Sequence, residues 1–333
     1  MGQEVENWRG PLIPAGSRPG EDRPPVMVAY GCGLDSTGMV LGLFERGLTA
    51  DVHVFADTQG EKPDTYHFLF VMDDWMAAHG FPRHPNVWRR PEGYAEPEYE
   101  LPEERALACI QVVRNTGRYG SLEKNCVDKA MLPSPAYGGR SCSDKYKIRP
   151  QHQFAKIWPP ARRWWRLDRR GTRPRSVTSR EEQGQLVIKF IGYNADERHR
   201  STVESDDFYR NRYPLREWQW ARADCEAICR RHALPPPAKS ACFFCPSSRK
   251  PEVLQLGLLY PKLMDRALHM EDKALASGEL GTTRGLGRKW AWRELLAGEE
   301  KGRQQHGSET GCLCHGEILE GSGVDADDQD ELD

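Results

Sequence analysis

No stretch of this sequence approaches the roughly 18 apolar residues that a membrane-spanning helix needs. Its opening, Met1-Gly-Gln-Glu-Val-Glu-Asn-Trp8, has no apolar signal core, and Glu6 stands where a myristoylation signal carries Ser or Thr. A cytoplasmic protein with no membrane partner is therefore expected. Charge of one sign is also scarce, with a net of only −2, but the charges are segregated. The tail Asp325 to Asp333 holds six acids, and setting it aside leaves +4 on the rest. Such a tail reads as a solvated, disordered end. Two common phosphate motifs are missing: the Gly-Lys-Ser/Thr of a Walker A loop and the spacing of a dinucleotide fingerprint. There is no internal repeat. Ten cysteines in a leaderless chain of 333 residues point to thiol, metal or redox work instead of a disulfide framework.

What the chain does hold is a strand, a glycine loop and a helix start in one stretch. Val26 to Tyr30 is an apolar run suited to a buried strand, and Gly31-Cys-Gly33 follows it. Asp35, Ser36 and Thr37 sit where a helix begins. Met39, Val40, Leu43, Phe44 and Leu48 then recur at helical spacing, with Gly47 placed to end the helix. Backbone N–H groups converge at such a junction and the helix dipole adds positive charge, which makes an anion site. Its candidate residues are Tyr30, Gly31, Cys32, Gly33, Asp35, Ser36 and Thr37. The string Gly31-Cys-Gly-Leu-Asp-Ser36 resembles the pyrophosphate (PP) loop of the adenine nucleotide α-hydrolase superfamily, usually Ser-Gly-Gly-x-Asp-Ser. Cys32 takes the place of a glycine. The resemblance implies that the loop holds a β,γ-pyrophosphate while chemistry occurs at the α-phosphate or beyond.

Asp51 to Asp57 alternates like a second strand, Pro63 opens a helix that runs to Gly80, and Leu186 to Gly192 is a later strand. This alternation predicts an α/β fold with a doubly wound parallel sheet. Ligands bind such sheets at the carboxyl ends of strands, where Gly31 to Ser36 and Asp57 lie. Asp57 can accept hydrogen bonds from a ribose or an adenine amino group, or it can cap a turn. Helices are expected over Glu104 to Val113, Arg216 to His232 and residues 251 to 278, with a functional loop over 117 to 150. The expected organisation is a flexible leader (1–24), a main domain (25–250), a helical extension (251–303) and a disordered acidic tail (304–333). A basic insertion (161–180) interrupts the main domain. Its residues 161 to 175 carry seven arginines and two tryptophans, suited to single-strand binding or to a solvated insertion with its tryptophans packed on the core.

Further segments match one family. Phe55-Ala-Asp-Thr-Gln-Gly-Glu-Lys-Pro63, Ser141-Cys-Ser-Asp-Lys-Tyr-Lys-Ile-Arg-Pro150, Ile191-Gly-Tyr-Asn-Ala-Asp-Glu-Arg-His-Arg200 and Tyr213-Pro-Leu-Arg-Glu-Trp218 stand in order along the chain. Together they resemble the phosphoadenosine phosphosulfate (PAPS) reductase family over about residues 26 to 250. The resemblance implies a PP-loop fold and an adenine nucleotide, ATP with Mg²⁺ or PAPS. Lys147, Arg149, Gly192, Arg198 and Arg200 join the nucleotide-binding candidates, and Asp35, Ser36 and Cys142 the catalytic ones.

Cys242-Phe-Phe-Cys245-Pro246 has the spacing of a metal knuckle, two thiolates on one tight turn. Further ligands must come from elsewhere. By resemblance to relatives that hold a 4Fe–4S cluster, Cys142 is the third, and Cys225 or Cys126 the fourth. Zinc fits the same thiolates. Cys225 and Cys229 lie four apart on a predicted helix, so they also read as buried core thiols.

Relatives that reduce adenylyl sulfate with a cluster carry an adjacent Cys-Cys pair, absent here. The tail motif of thioredoxin-dependent reductases is only faintly matched by Gly311-Cys-Leu-Cys-His-Gly316, so Cys312 and Cys314 are weak nucleophile candidates. The leading expectation is ATP-dependent adenylation coupled to sulfur transfer onto a nucleic acid or small molecule, with a sulfur-donor protein as partner. Thiol-dependent reduction of PAPS or adenylyl sulfate to sulfite is the alternative. A non-catalytic, zinc-containing nucleic-acid module is the third.

Overall fold

The computed structural model describes residues 17 to 298, except 96–98, 119, 170–186, 198–204 and 207. Five strands form one all-parallel sheet in the order β5-β2-β1-β6-β7. These are β1 (Val26–Tyr30), β2 (Val52–Asp57), β5 (Ile110–Arg114), β6 (Val187–Ile191) and β7 (Tyr209–Arg212). The central strands are apolar because both faces are covered: every residue of β2 is buried, as are four of five in β1. Two short strands, β3 (Asn86–Arg89) and β4 (Glu104–Leu107), pair antiparallel apart from the main sheet.

Helices α1 (Leu34–Glu45) and α8 (Arg222–Arg231) pack against each other, with Gly38 of α1 facing Cys225 of α8. A separate core joins Met27, Val52, Val54, Val187 and Tyr209 of the sheet to Ala155 of α5 (Arg149–Ile157), Trp158, and Ala161 of α6 (Pro159–Arg169). This is the doubly wound α/β arrangement that the strand–helix alternation predicts. Helix α2 (Pro63–Ala78) follows β2, with Pro63 at its first position, where a missing N–H costs nothing.

Several expected elements differ. Glu104 to Val113 is not a helix: it forms β4 and β5, with Ala108 and Cys109 between them. The Asp73 carboxylate accepts the N–H groups of Ala108, Cys109 and Ile110 at 2.7, 2.9 and 2.8 Å, which fixes that bend. Residues 117 to 150 hold α3 (Leu122–Asp128), a 3₁₀ turn (Ser134–Tyr137), the single turn α4 (Ser141–Ser143) and a π-wound stretch (Asp144–Ile148) that leads into α5. Arg216 to His232 is broken into α7 (Pro214–Glu217) and α8, with Gln219 at φ 58° between them. The helix over 251 to 278 is two, α9 (Lys250–Leu259) and α10 (Pro261–Ala276), because Pro261 cannot continue α9 through Tyr260. These elements belong to the unit that ends at Trp292. The acidic tail lies outside the described residues.

Candidate functional site

β1 has β2 on one side and β6 on the other, so the direction of winding reverses at β1. A crevice opens at such a point beyond the carboxyl ends of the strands. The loop after β1, Gly31 to Gly33, meets the loop after β6, Gly192 to Glu197, at this place. A Cβ on Gly192 would lie 3.0 Å from both Cα and N of Ser36, so only glycine allows the two loops this approach.

Gly33 caps α1. Its N–H donates to Ser36 Oγ at 3.2 Å, and the Ser36 hydroxyl donates back to the Gly33 carbonyl at 3.0 Å. Ser36 is thereby spent on holding the helix start, whose first-turn N–H groups have no acceptor within the helix. Tyr30 and Thr37 lie beneath the loop, buried, with their hydroxyls 3.2 Å apart. Cys32 adopts φ 56°, the left-handed region where glycine is usual and another residue costs roughly 1–2 kcal/mol. Its side chain turns inward, 1% exposed, and its thiol donates to the Thr65 carbonyl at 3.2 Å. Burial pushes that thiol far above the usual range, so it stays protonated.

Asp35 accepts a hydrogen bond on Oδ2 from Asn194 Nδ2 at 3.1 Å. Its Oδ1 is buried without a partner. Asn194 in turn accepts the N–H groups of Asp196 and Glu197 at 2.9 and 3.0 Å, which shapes the loop after β6.

Asp57 is buried at the end of β2. Its carboxylate takes Tyr66 Oη at 2.8 Å, the Gln59 N–H at 2.7 Å, and Arg114 through Nε at 2.9 Å and Nη2 at 2.7 Å. The Gln59 contact is a turn cap, and the Tyr66 and Arg114 contacts tie Asp57 to α2 and β5.

A second cluster adjoins the turn after β2. Glu61 is fully buried, and its Oε1 takes Thr58 Oγ1 at 3.1 Å and Lys147 Nζ at 3.3 Å. Its Oε2 has no partner. Thr58 Oγ1 also lies 3.2 Å from Cys242 Sγ. Lys147 keeps 39% of its side chain exposed, yet the Glu61 charge holds its ammonium well above the ordinary lysine value. Cys242 pairs with Glu61 across a short antiparallel bridge, and the Phe243 N–H donates to the Gly60 carbonyl at 2.9 Å. The Cys245 N–H closes the tight turn onto the Cys242 carbonyl at 3.0 Å. Burial raises both thiols, Cys242 the more strongly.

Cys142 is half-buried, and its N–H donates to Ser134 Oγ at 2.9 Å. With Cys126, Asn125 and Lys145 it lines a cavity of ≈ 60 Å³. Arg149 is exposed at the start of α5. Arg198, Arg200, Cys312 and Cys314 lie outside the described residues. In α6, Trp164 is buried and Trp165 is 41% exposed beside exposed Arg162, Arg163 and Arg166, so one indole serves the core and one faces out.

The expected metal set is not gathered. Among the described residues no three His, Cys, Asp or Glu side chains lie close enough to hold an ion. Cys225 is fully buried against Gly38, where a Cβ would come within 2.7 Å of its Cβ and Sγ, and it serves the α1–α8 packing, as the core-thiol reading of Cys225 and Cys229 expects. Three residues of the site went unselected in the sequence: Glu61, Asn194 and Ser240. The first two stand inside the family-like motifs. Ser240 precedes the knuckle, and no local signal marks it.

No protein-family model and no curated protein matches the sequence. Among solved structures the chain is similar to a PAPS reductase from Candida auris in a phosphate complex. That match has 15% identity and a TM-score of 0.30, and it covers 64% of this chain and 74% of that one.

Proposed function

We propose that this chain is a PAPS reductase-like PP-loop enzyme that binds an adenine nucleotide at the β1/β6 crevice, and that its reaction is ATP-dependent adenylation coupled to sulfur transfer. The observation that carries the reading is the junction itself. An N-capped helix start and a second glycine loop meet at the reversal point, with an unpartnered carboxylate oxygen of Asp35 between them. Anions are favoured there by the first-turn N–H groups and the helix dipole. Asp35 Oδ1 has a free lone pair for the Mg²⁺ that accompanies ATP, or for a hydroxyl of the nucleotide.

In this reading a substrate oxygen attacks the α-phosphorus, the bond to the bridging oxygen breaks, and pyrophosphate leaves on the loop. The fixed N–H groups stabilise the charge that develops on it. A sulfur nucleophile then displaces AMP from the adenylated substrate. Lys147, Arg149, Arg198 and Arg200 are the candidate cations for the nucleotide. A nucleic acid or small molecule is the acceptor class. The basic face of α6, with Trp165 outward, suits a nucleic acid. Cys142, Cys242 and Cys245 remain the candidate thiolates for a 4Fe–4S cluster or a zinc ion, and no step of the adenylation is routed through them.

Calorimetric titration with Mg-ATP and with PAPS tests the reading. Binding of Mg-ATP with PAPS ignored is the expected result. The reverse preference would overturn adenylation in favour of PAPS reduction. Binding of neither would leave the zinc-containing nucleic-acid module, to be checked by metal analysis.

A further inference from the structure

The nucleotide loop of this chain is held from outside by the loop that carries the cysteine knuckle. Ser240 Oγ donates to the Gly31 carbonyl at 2.7 Å, and its Cβ lies 3.4 Å from where a Cβ on Gly33 would stand. Two residues further on, the knuckle is fixed to the turn after β2 by the Glu61–Cys242 bridge, the Phe243 N–H to Gly60 and the Thr58–Cys242 contact. Ser240 therefore sits on a short tether between an anchored knuckle and the PP-like loop.

Cys32 makes this tether necessary. With φ at 56° it stands in a conformation that residues with a Cβ avoid. A flip of the Gly31–Cys32 peptide would return Cys32 to negative φ and turn the Cys32 N–H to the opposite side. Two contacts oppose the flip: the Cys32 thiol on the Thr65 carbonyl, and the Ser240 hydroxyl on the very carbonyl that would have to rotate. A glycine at 32 would need neither.

Resting on the nucleotide reading above, we propose that Ser240 is a positioning residue. It holds the Gly31–Cys32 peptide in the nucleotide-binding orientation and so compensates for a cysteine in a glycine's place. It also links the two loops: nucleotide on the first restrains the second, and a displaced knuckle weakens nucleotide binding.

The test is a set of calorimetric titrations with Mg-ATP on the full chain and on Ser240→Ala, Ser240→Thr, Cys32→Gly and the double variant Cys32→Gly/Ser240→Ala. Thermal unfolding of each variant verifies that it is folded. Loss of one hydrogen bond and release of the strained peptide should weaken binding by Ser240→Ala roughly tenfold. Ser240→Thr keeps a hydroxyl and should bind as wild type. The double variant should recover most of the lost affinity, because glycine at 32 removes the reason to flip. That recovery is the signature a merely structural serine would not give. Alkylation of Cys245 by iodoacetamide, followed by mass spectrometry, should slow when Mg-ATP is added to wild type and not when it is added to Ser240→Ala. Unchanged affinity in Ser240→Ala, or a double variant no better than Ser240→Ala, would overturn the proposal and leave the nucleotide site standing. If wild type binds no adenine nucleotide, the site and the proposal fall together.

Discussion

At the scale of single residues, two buried charges bear on what is structure and what is site. Asp57 is enclosed by Tyr66, Gln59 and Arg114. Asp57→Asn keeps the shape and removes the charge opposite Arg114, which should cost about 3 kcal/mol by urea unfolding. Nucleotide affinity of the folded variant should be unchanged. A variant of normal stability with weakened nucleotide binding would restore Asp57 to the ligand. Lys189 is the second. It is 6% exposed, with Nζ over the Tyr209 ring at 4.9 Å, and burial lowers it to about 8, with Asp206 opposing the shift. Between pH 8 and 10.5 the unfolded chain holds a proton that the folded chain has released. Stability therefore rises with pH across that window, and the burial cost is felt in full below pH 8. Lys189→Met should be more stable than wild type at pH 7 by a few kcal/mol, and the difference should shrink steadily from pH 8 to 10. Parallel curves for the two proteins would show that Lys189 keeps its ordinary value.

At the scale of elements, close contacts between helices and loops decide which glycines are fixed. Alanine at Gly38 would place a Cβ 2.7 Å from Cys225 and push α8 off α1, which should cost about 2–3 kcal/mol in urea unfolding. Cys225→Ala should leave the iron, sulfide and zinc content of the purified protein equal to wild type, since Cys225 belongs to that packing. A drop in metal would instead make it a ligand. The same scale shows how much the sequence disclosed. β1, β2 and β6 are legible because buried parallel strands read as apolar runs. β5 was masked by Glu104 and Arg105, which made Glu104 to Val113 look like one helix. The bend between β4 and β5 is held by groups distant in sequence, among them the Asp73 carboxylate, 35 residues from Ala108, and the His84 N–H on the Ala108 carbonyl. β7, Tyr-Arg-Asn-Arg, is a polar edge strand and gave no apolar signal. The glycine loop was legible as local chemistry. Its partners were not, because Asn194 reaches Asp35 across 159 residues and Ser240 reaches Gly31 across 209.

At the scale of the whole molecule, the order β5-β2-β1-β6-β7 puts the two loops of the site on strands that are adjacent in the sheet but far apart in the chain, with the paired Ala29 and Ile191 separated by 162 residues. A nucleotide held between them would therefore join the two halves of the fold instead of decorating one. Bound at a hundred times its dissociation constant, Mg-ATP should add about 2.7 kcal/mol to the unfolding free energy and raise the thermal midpoint by several degrees. Amide hydrogen exchange should locate that gain. Gly31 to Ser36 and Gly192 to Glu197 should become protected together, at the same nucleotide concentration, because each loop needs the other to close the crevice. Protection of the first loop alone would mean that the phosphates sit on the α1 start without reaching β6. The role of Asp35 Oδ1 and of the Gly192 approach would then have to be given up. With both loops protected, Gly192→Ala provides the converse. Its Cβ would press on the Ser36 backbone, and joint protection should be lost while the β1–β6 pairing itself survives.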